Sequence, residues 1–276
     1  MKNVLLIAGK EIQECLRNRW VIAMTLLLAA LALSLAFLGS APTGNVGTAA
    51  LDVVIVSLSS LTIFVVPLVA LLISHDAIVG EMERGTMLLL LSYPVSRLQV
   101  LLGKFLGHLA VLSFATILGY GAAAFALAVS GAAITASSWV AFTSMILTSI
   151  LLGAVFIALG YLISALVRER ATAAGVAIGI WLLLVVLFDM ALLGALVVDQ
   201  GKTISSAVLS ALLLFNPTDI YRLFNLAGAE NISVLSNMSG IAESGRLSPL
   251  VLLMTLVAWV IVPLALAGLA FSRREL

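Results

Sequence analysis

Apolar residues run through this chain in six long blocks, at about 21–38, 53–74, 106–130, 139–166, 171–197 and 248–270. Each is near the ~20 residues that an α-helix needs to cross the hydrocarbon of a bilayer. The polar positions are gathered into the links between them. Ahead of the first block, Lys2, Lys10, Glu11, Glu14, Arg17 and Arg19 alternate with Leu5, Ala8, Ile12, Cys15 and Leu16. That pattern predicts an amphipathic helix over 1–20, lying in the membrane interface. A cleaved signal peptide fits less well. The charged region is too long for one and holds two glutamates, and the apolar run after it is long enough to span.

The longest polar interruption near the start is 75–105. Asp76, Glu81, Glu83 and Arg84 put four charges within nine residues, and none rests cheaply in hydrocarbon. Gly80 and Gly85 bracket a helical turn. Pro94 then breaks the chain, and Ser96 with Gln99 forms a capping box that restarts a helix. The expectation is a short helix slung between two spans, shaped to be gripped from outside the membrane. On the other side, 199–247 contains a second helix start, with Asn216 as N-cap, Pro217 at the first position and Asp219 favoured by the helix dipole. Ile220, Leu223, Phe224 and Leu226 would share its apolar face, against the outer membrane surface or a neighbouring helix. Asn231-Ile232-Ser233 and Asn237-Met238-Ser239 match the glycosylation sequon and read as polar loop.

Composition agrees with the pattern. Of 276 residues, 63% are hydrophobic and 10% charged, against about half and a quarter in soluble domains. The fold class is therefore an all-α integral membrane protein with six transmembrane helices. No segment is basic and aromatic enough for nucleic-acid binding. Eleven of the fourteen Lys and Arg residues fall in the N-terminal segment, the 75–105 loop, the Arg168–Arg170 link and the tail at Arg273-Arg274. The positive-inside rule then puts both termini and the 75–105 loop in the cytoplasm. Gly153 and Gly160 suit close helix packing in lipid.

Catalytic signatures are absent from the sequence: there is no G-x-S-x-G elbow and no H-E-x-x-H. Gly103-Lys104 is not a phosphate-binding loop, because Leu98 and Phe105 stand where that motif requires Gly and Ser or Thr. One cysteine, Cys15, excludes an internal disulfide framework. His75 and His108, without further ligands nearby, read as polar interface residues rather than a metal site. Asp189 is the one acid inside an apolar block; it lies toward the outer end, where a satisfied interfacial carboxylate is expected. Met190 and Met238 could offer thioethers to Cu(I), but gap filling and loop packing account better for them. No metal site assembles from these residues.

Asp76-x-x-x-Gly80-Glu81-x-Glu83-x-Gly85-Thr86, with the leucine run, Pro94, Ser96-Arg97 and Gly103-Lys104, resembles the signature of ABC-2 type (type V exporter-like) permeases. Lys10-Glu11, Leu16-Arg17-Asn18-Arg19 and the six-span layout extend the resemblance over the whole chain. It implies a 1–20 interfacial helix and a 21–276 permease domain, with a cytoplasmic coupling loop at 75–105 and a periplasmic loop at 199–247. Asp76, Gly80, Glu81, Glu83, Arg84, Gly85, Thr86, Arg97 and Lys104 would serve ATPase coupling, and Lys10, Glu11, Arg17 and Arg19 a second contact at the interfacial helix. It also implies a homodimer in the bacterial inner membrane, no catalytic residue and no cofactor in this chain, and ATP with Mg on a separate ATPase subunit.

Leu16-Arg17-Asn18-Arg19-Trp20, His75-Asp76-Ala77-Ile78-Val79-Gly80-Glu81 and Leu88-Leu89-Leu90-Leu91-Ser92-Tyr93-Pro94 resemble most the branch serving nitrous oxide reductase maturation. That likeness implies a NosF-like ATPase and a periplasmic NosD-like protein, met through residues such as Asp219, Tyr221, Arg222 and Met238. It further implies copper handled by the complex, with a copper-chaperone lipoprotein as a further partner. A generic ABC-2 exporter of a lipid, drug or polysaccharide is the alternative. It would keep the coupling loop but need no periplasmic protein. A passive channel or scaffold would not need the charged loop, and an intramembrane enzyme lacks its signatures.

Overall fold

In a computed structural model, residues 2–17, 19–39, 50–129, 135–199, 205–227 and 247–274 are described, with no strand among them. They form α1 (Lys2–Arg17), α2 (Arg19–Gly39), α3 (Ala50–Ser74), α4 (Val79–Glu83), α5 (Thr86–Leu91), α6 (Arg97–Val129) and α7 (Ala136–Leu166). Then follow α8 (Arg170–Asp199), α9 (Ser206–Leu214), α10 (Pro217–Ala227) and α11 (Pro249–Arg273). Among the described residues five stretches, beginning at Val54, Arg97, Ala136, Arg170 and Pro249, are long and apolar enough to cross a membrane. The chain is thus a multi-pass helical membrane protein. The block expected at 21–38 is helical as α2, and its described apolar portion, Thr25–Ser34, is shorter than the other five.

Local chemistry sets the helix starts. Pro94 stops the chain, and at α6 the Ser96 N–H donates to Gln99 Oε1 at 3.1 Å while the Gln99 N–H donates to Ser96 Oγ at 3.2 Å. That is the expected capping box. Thr135 and Ser248 cap α7 and α11 in the same manner from one side.

The core is built around α7, flanked by α3 and α11. Of its apolar window 72% is buried within the chain, against 22% for α11 and 11% for α8. Gly160 faces Ser74 at the end of α3, and Gly153 faces Leu112 and Val66; a Cβ at either would collide. These are the close approaches expected of small residues between helices in lipid.

In hydrocarbon every backbone polar group needs a partner from within the protein. Trp181 Nε1 donates to the Phe64 carbonyl at 3.0 Å, three residues before Pro67 inside α3. At the end carrying both termini, Arg97 Nη1 donates to the carbonyls of Phe271, Ser272 and Arg274 at 2.7–3.0 Å. Arg274 in turn donates to Ser164 and Ala165 at the close of α7, at 3.0 and 3.1 Å. Each arginine occupies the orphan carbonyls of a helix C-terminus.

Candidate functional site

The loop between α3 and α6 is folded against the bundle. Ser164 Oγ accepts from the Ile78 and Val79 N–H groups at 2.9 and 3.0 Å, tying the start of α4 to α7. Arg170, at the start of α8, pairs with Asp76 Oδ2 at 2.6 Å and donates its backbone N–H to Glu83 Oε1 at 2.8 Å. Gly80 sits beneath this pair, where a Cβ would lie 3.2 Å from Arg170 Nε. Gly85, at φ +70°, takes the left-handed conformation that reverses the chain between α4 and α5, a conformation that suits glycine. The outward tip is Glu83, Arg84, Gly85 and Thr86, continued by exposed Leu88, Leu89 and Tyr93. A compact, charged tip on an anchored base is suited to receiving force from another protein.

Beneath the tip lies a buried charge cluster. Lys104 Nζ on α6 meets Glu11 Oε1 on α1 at 2.6 Å and Glu81 Oε1 on α4 at 2.8 Å. His108, one turn along α6, places Nε2 3.6 Å from Glu11 Oε2, and its Nδ1 is hydrogen-bonded to Tyr161 OH at 2.8 Å. Lys104, Glu11 and Glu81 are 3–6% exposed. Two glycines seat α1 here: a Cβ on Gly103 would lie 2.7 Å from Ile7 Cβ, and one on Gly107 2.5 Å from Glu11 Cβ.

The sequence placed several of these residues differently. Glu81 and Lys104, assigned by resemblance to ATPase coupling with Lys104 flanking the helix, point inward and pair with each other. Gly80 is buried, and Asp76 is engaged by Arg170. Arg97 turns away from the loop to cap α11. On α1 the packed face is Ile7, Ala8 and Glu11, while Leu5 and Leu6 are exposed. Glu11 was expected on the polar face; pairing with Lys104 is what allows it to be buried. Lys10 forms an exposed pair with Glu14 at 3.2 Å, Arg17 is exposed, and the side chain of Arg19 lies outside the described residues. Burial and the neighbouring Glu11 push the Cys15 thiol up to about 11, which keeps it protonated at neutral pH. Arg170 was legible only as a cytoplasmic charge and Ser164 only as a small residue, with no sign that either holds the loop; Gly103-x-x-x-Gly107 was a legible small-xxx-small motif.

At the opposite end α10 starts as expected, with Asn216 Oδ1 accepting from the Thr218 N–H at 3.1 Å. It is packed against α3, α7 and α11. Asn216 Nδ2 also donates at 2.9 Å to the Leu184 carbonyl, which lies in a π-helical turn of α8 at Leu183–Leu187. Such turns perturb the regular backbone bonding and gather at functional positions. Arg222 bridges Asp189 on α8 at 2.6 Å and Asp219 at 2.8 Å. Burial, with Asp189 nearby, raises Asp219 to about 7 against the opposing pull of Arg222. Tyr221 OH is hydrogen-bonded to Ser149 at 2.9 Å, and Asn225 Nδ2 donates to Thr148 Oγ1 at 3.2 Å. Asp219 and Tyr221, expected to face a partner, are thus buried, and Arg222 is engaged by both carboxylates. Met190 is exposed on α8; Met238, both sequons and the rest of 200–204 and 228–246 lie outside the described residues.

Long apolar helices gathered around α7, with a charged loop folded against one end, define a multi-pass membrane permease. The ABC-2 family transporter model matches residues 5–276, and the chain belongs to that family. It is 45% identical over 276 residues to the probable ABC transporter permease protein NosY of Stutzerimonas stutzeri, covering 99% of each chain. To the protein of the same name from Pseudomonas aeruginosa it is 44% identical over 277 residues, covering both chains in full. It is a NosY-like permease subunit, and as an ABC permease it pairs with an ATPase subunit.

Proposed function

We propose that this chain is the non-catalytic membrane half of an inner-membrane ABC transporter, with α2 as a sixth crossing and both termini cytoplasmic. Loop 75–105 carries the coupling element, and two copies of the chain work with two NosF-like ATPase subunits that bind ATP and Mg. The observation that carries this reading is the anchored loop. Arg84 projects outward while Ser164 and Arg170 hold the base to α7 and α8, Arg170 through Asp76 and Glu83. The low self-burial of α8 supports a partner copy within the membrane.

The activity served is copper-site assembly of nitrous oxide reductase, through a periplasmic NosD-like protein and a copper-chaperone lipoprotein. Mechanical transmission accounts for this chain better than export of a sulfur or copper species. Between the two charge clusters, the buried polar side chains described are hydroxyl groups such as Thr62, Thr116, Tyr120 and Ser149. A hydrated ion path is lined more richly than that. A generic exporter of lipid, drug or polysaccharide would use the same loop, and cargo-stimulated ATPase activity without the periplasmic protein would favour it. The test is co-purification and ATP turnover with the cognate ATPase, comparing wild type with Arg84→Glu, which leaves the Glu83–Arg170 anchor in place. Loss of assembly or of turnover control is expected; unchanged assembly and turnover would overturn the coupling assignment.

A further inference from the structure

The buried cluster contains an asymmetry that packing alone does not require. Lys104 is shared by carboxylates from two different elements. Glu11 is the better held of the two, with Oε1 on Lys104 at 2.6 Å, Oε2 facing His108 Nε2 at 3.6 Å, and its stem seated over Gly107. Glu81 is held by one oxygen only. Its Oε2 is buried and has no hydrogen-bond partner, although the residue is 6% exposed. A half-satisfied carboxylate in a dry site is the less costly of the two to withdraw. If Glu81 leaves, Lys104 still has Glu11, so no buried ammonium is stranded.

We infer that the Glu81–Lys104 pair is a releasable latch between the coupling loop and the α1–α6 unit. It is closed in this resting arrangement and opens when the ATPase draws the loop. Glu81 and Lys104 are positioning residues: they touch neither ATP nor the docking surface, and they set the loop's resting position. This rests on the coupling role proposed above, and adds that α1 stays with α6 while α4 and α5 move.

The experiment uses the full permease–ATPase complex in a Cys15→Ala background. Spin labels sit at Gln13→Cys on α1 and Leu89→Cys on α5, both exposed positions. Without nucleotide the latch predicts one short inter-label distance, and a non-hydrolysable ATP analogue adds a longer one. Glu81→Gln should assemble normally, show the longer distance without nucleotide, and raise basal ATP turnover severalfold. A residue serving only stability would lower the melting temperature without raising turnover. Should Glu81→Gln fail to accumulate, Glu11→Gln/Lys104→Met/Glu81→Gln removes every charge together and is read in the same way. Wild-type distances and turnover in an assembled variant would overturn the latch, as would a wild-type distance unmoved by the analogue. Intact assembly in Arg84→Glu would instead remove the docking role itself.

Discussion

The two ends of this bundle carry the same small device in two different settings. Each has one cation between two carboxylates from separate helices, Lys104 with Glu11 and Glu81, and Arg222 with Asp219 and Asp189. Each leaves one carboxylate oxygen without a partner, on Glu81 and on Asp189. At the terminal end the three side chains are nearly dry; at the far end Arg222 is 35% and Asp189 23% exposed. Solvent sets what each is worth. Where water reaches, ions are screened and rehydrate readily, so the far cluster is a soft clamp. Where it does not, a cation left with no partner is stranded, so Lys104 must keep Glu11 even where Glu81 lets go, and the Lys104–Glu11 pair is the firm joint.

The comparison breaks most sharply at Lys104. Lys104→Met leaves two buried carboxylates facing each other, and a loss of roughly 3–5 kcal/mol is expected. Detergent melting curves should show it as a large fall in melting temperature. The all-neutral Glu11→Gln/Lys104→Met/Glu81→Gln variant should recover most of that. Gly107→Ala comes next. Its new Cβ meets Glu11 Cβ and the Ala8 carbonyl, and overpacking of this kind costs about 1–3 kcal/mol. Gly121→Ala, with nothing within 4 Å, is the matched control and should melt like wild type.

Arg222→Met should do less overall, because Asp189 can take up water. Its effect should be local, with faster hydrogen exchange in α10 and little change in α1 or α4. The smallest effect is pH dependence at the far end. Folding raises Asp219 from 3.8 to about 7, so the folded state holds this proton more tightly than the unfolded chain does. The resulting stabilisation is full below about pH 4 and is lost as pH rises through about 7. Protection of α10 should therefore decline from pH 5 to pH 8, and Asp219→Asn should flatten that slope.

Much of the frame was legible because hydrophobic length and capping chemistry are local. The apolar blocks, the Ser96/Gln99 box and the Asn216-Pro217 start each lie within one stretch of sequence. What could not be read was pairing at a distance. Glu11 and Lys104 are 93 residues apart, and Asp189 and Arg222 33. On its own helix a carboxylate reads as solvent-facing, so Glu11 was placed on the wrong face and Glu81 on the docking surface. The π turn was also hidden, since Leu183-Leu184-Val185-Val186-Leu187 carries no Gly, Pro or polar residue to announce it. Gly103 and Gly107 lie four residues apart on one face of α6, a spacing that local sequence does carry.

On the coupling role proposed here, the loop's outer tip meets the ATPase while its inner side locks onto α1 and α6. Site-specific photo-crosslinking from Arg84 and from Glu81, in the assembled complex without nucleotide, tests both halves together. The account predicts that a crosslinker at Arg84 captures the ATPase subunit and that one at Glu81 reacts only within the permease. Capture of the ATPase from position 81, or no capture from position 84, would contradict it.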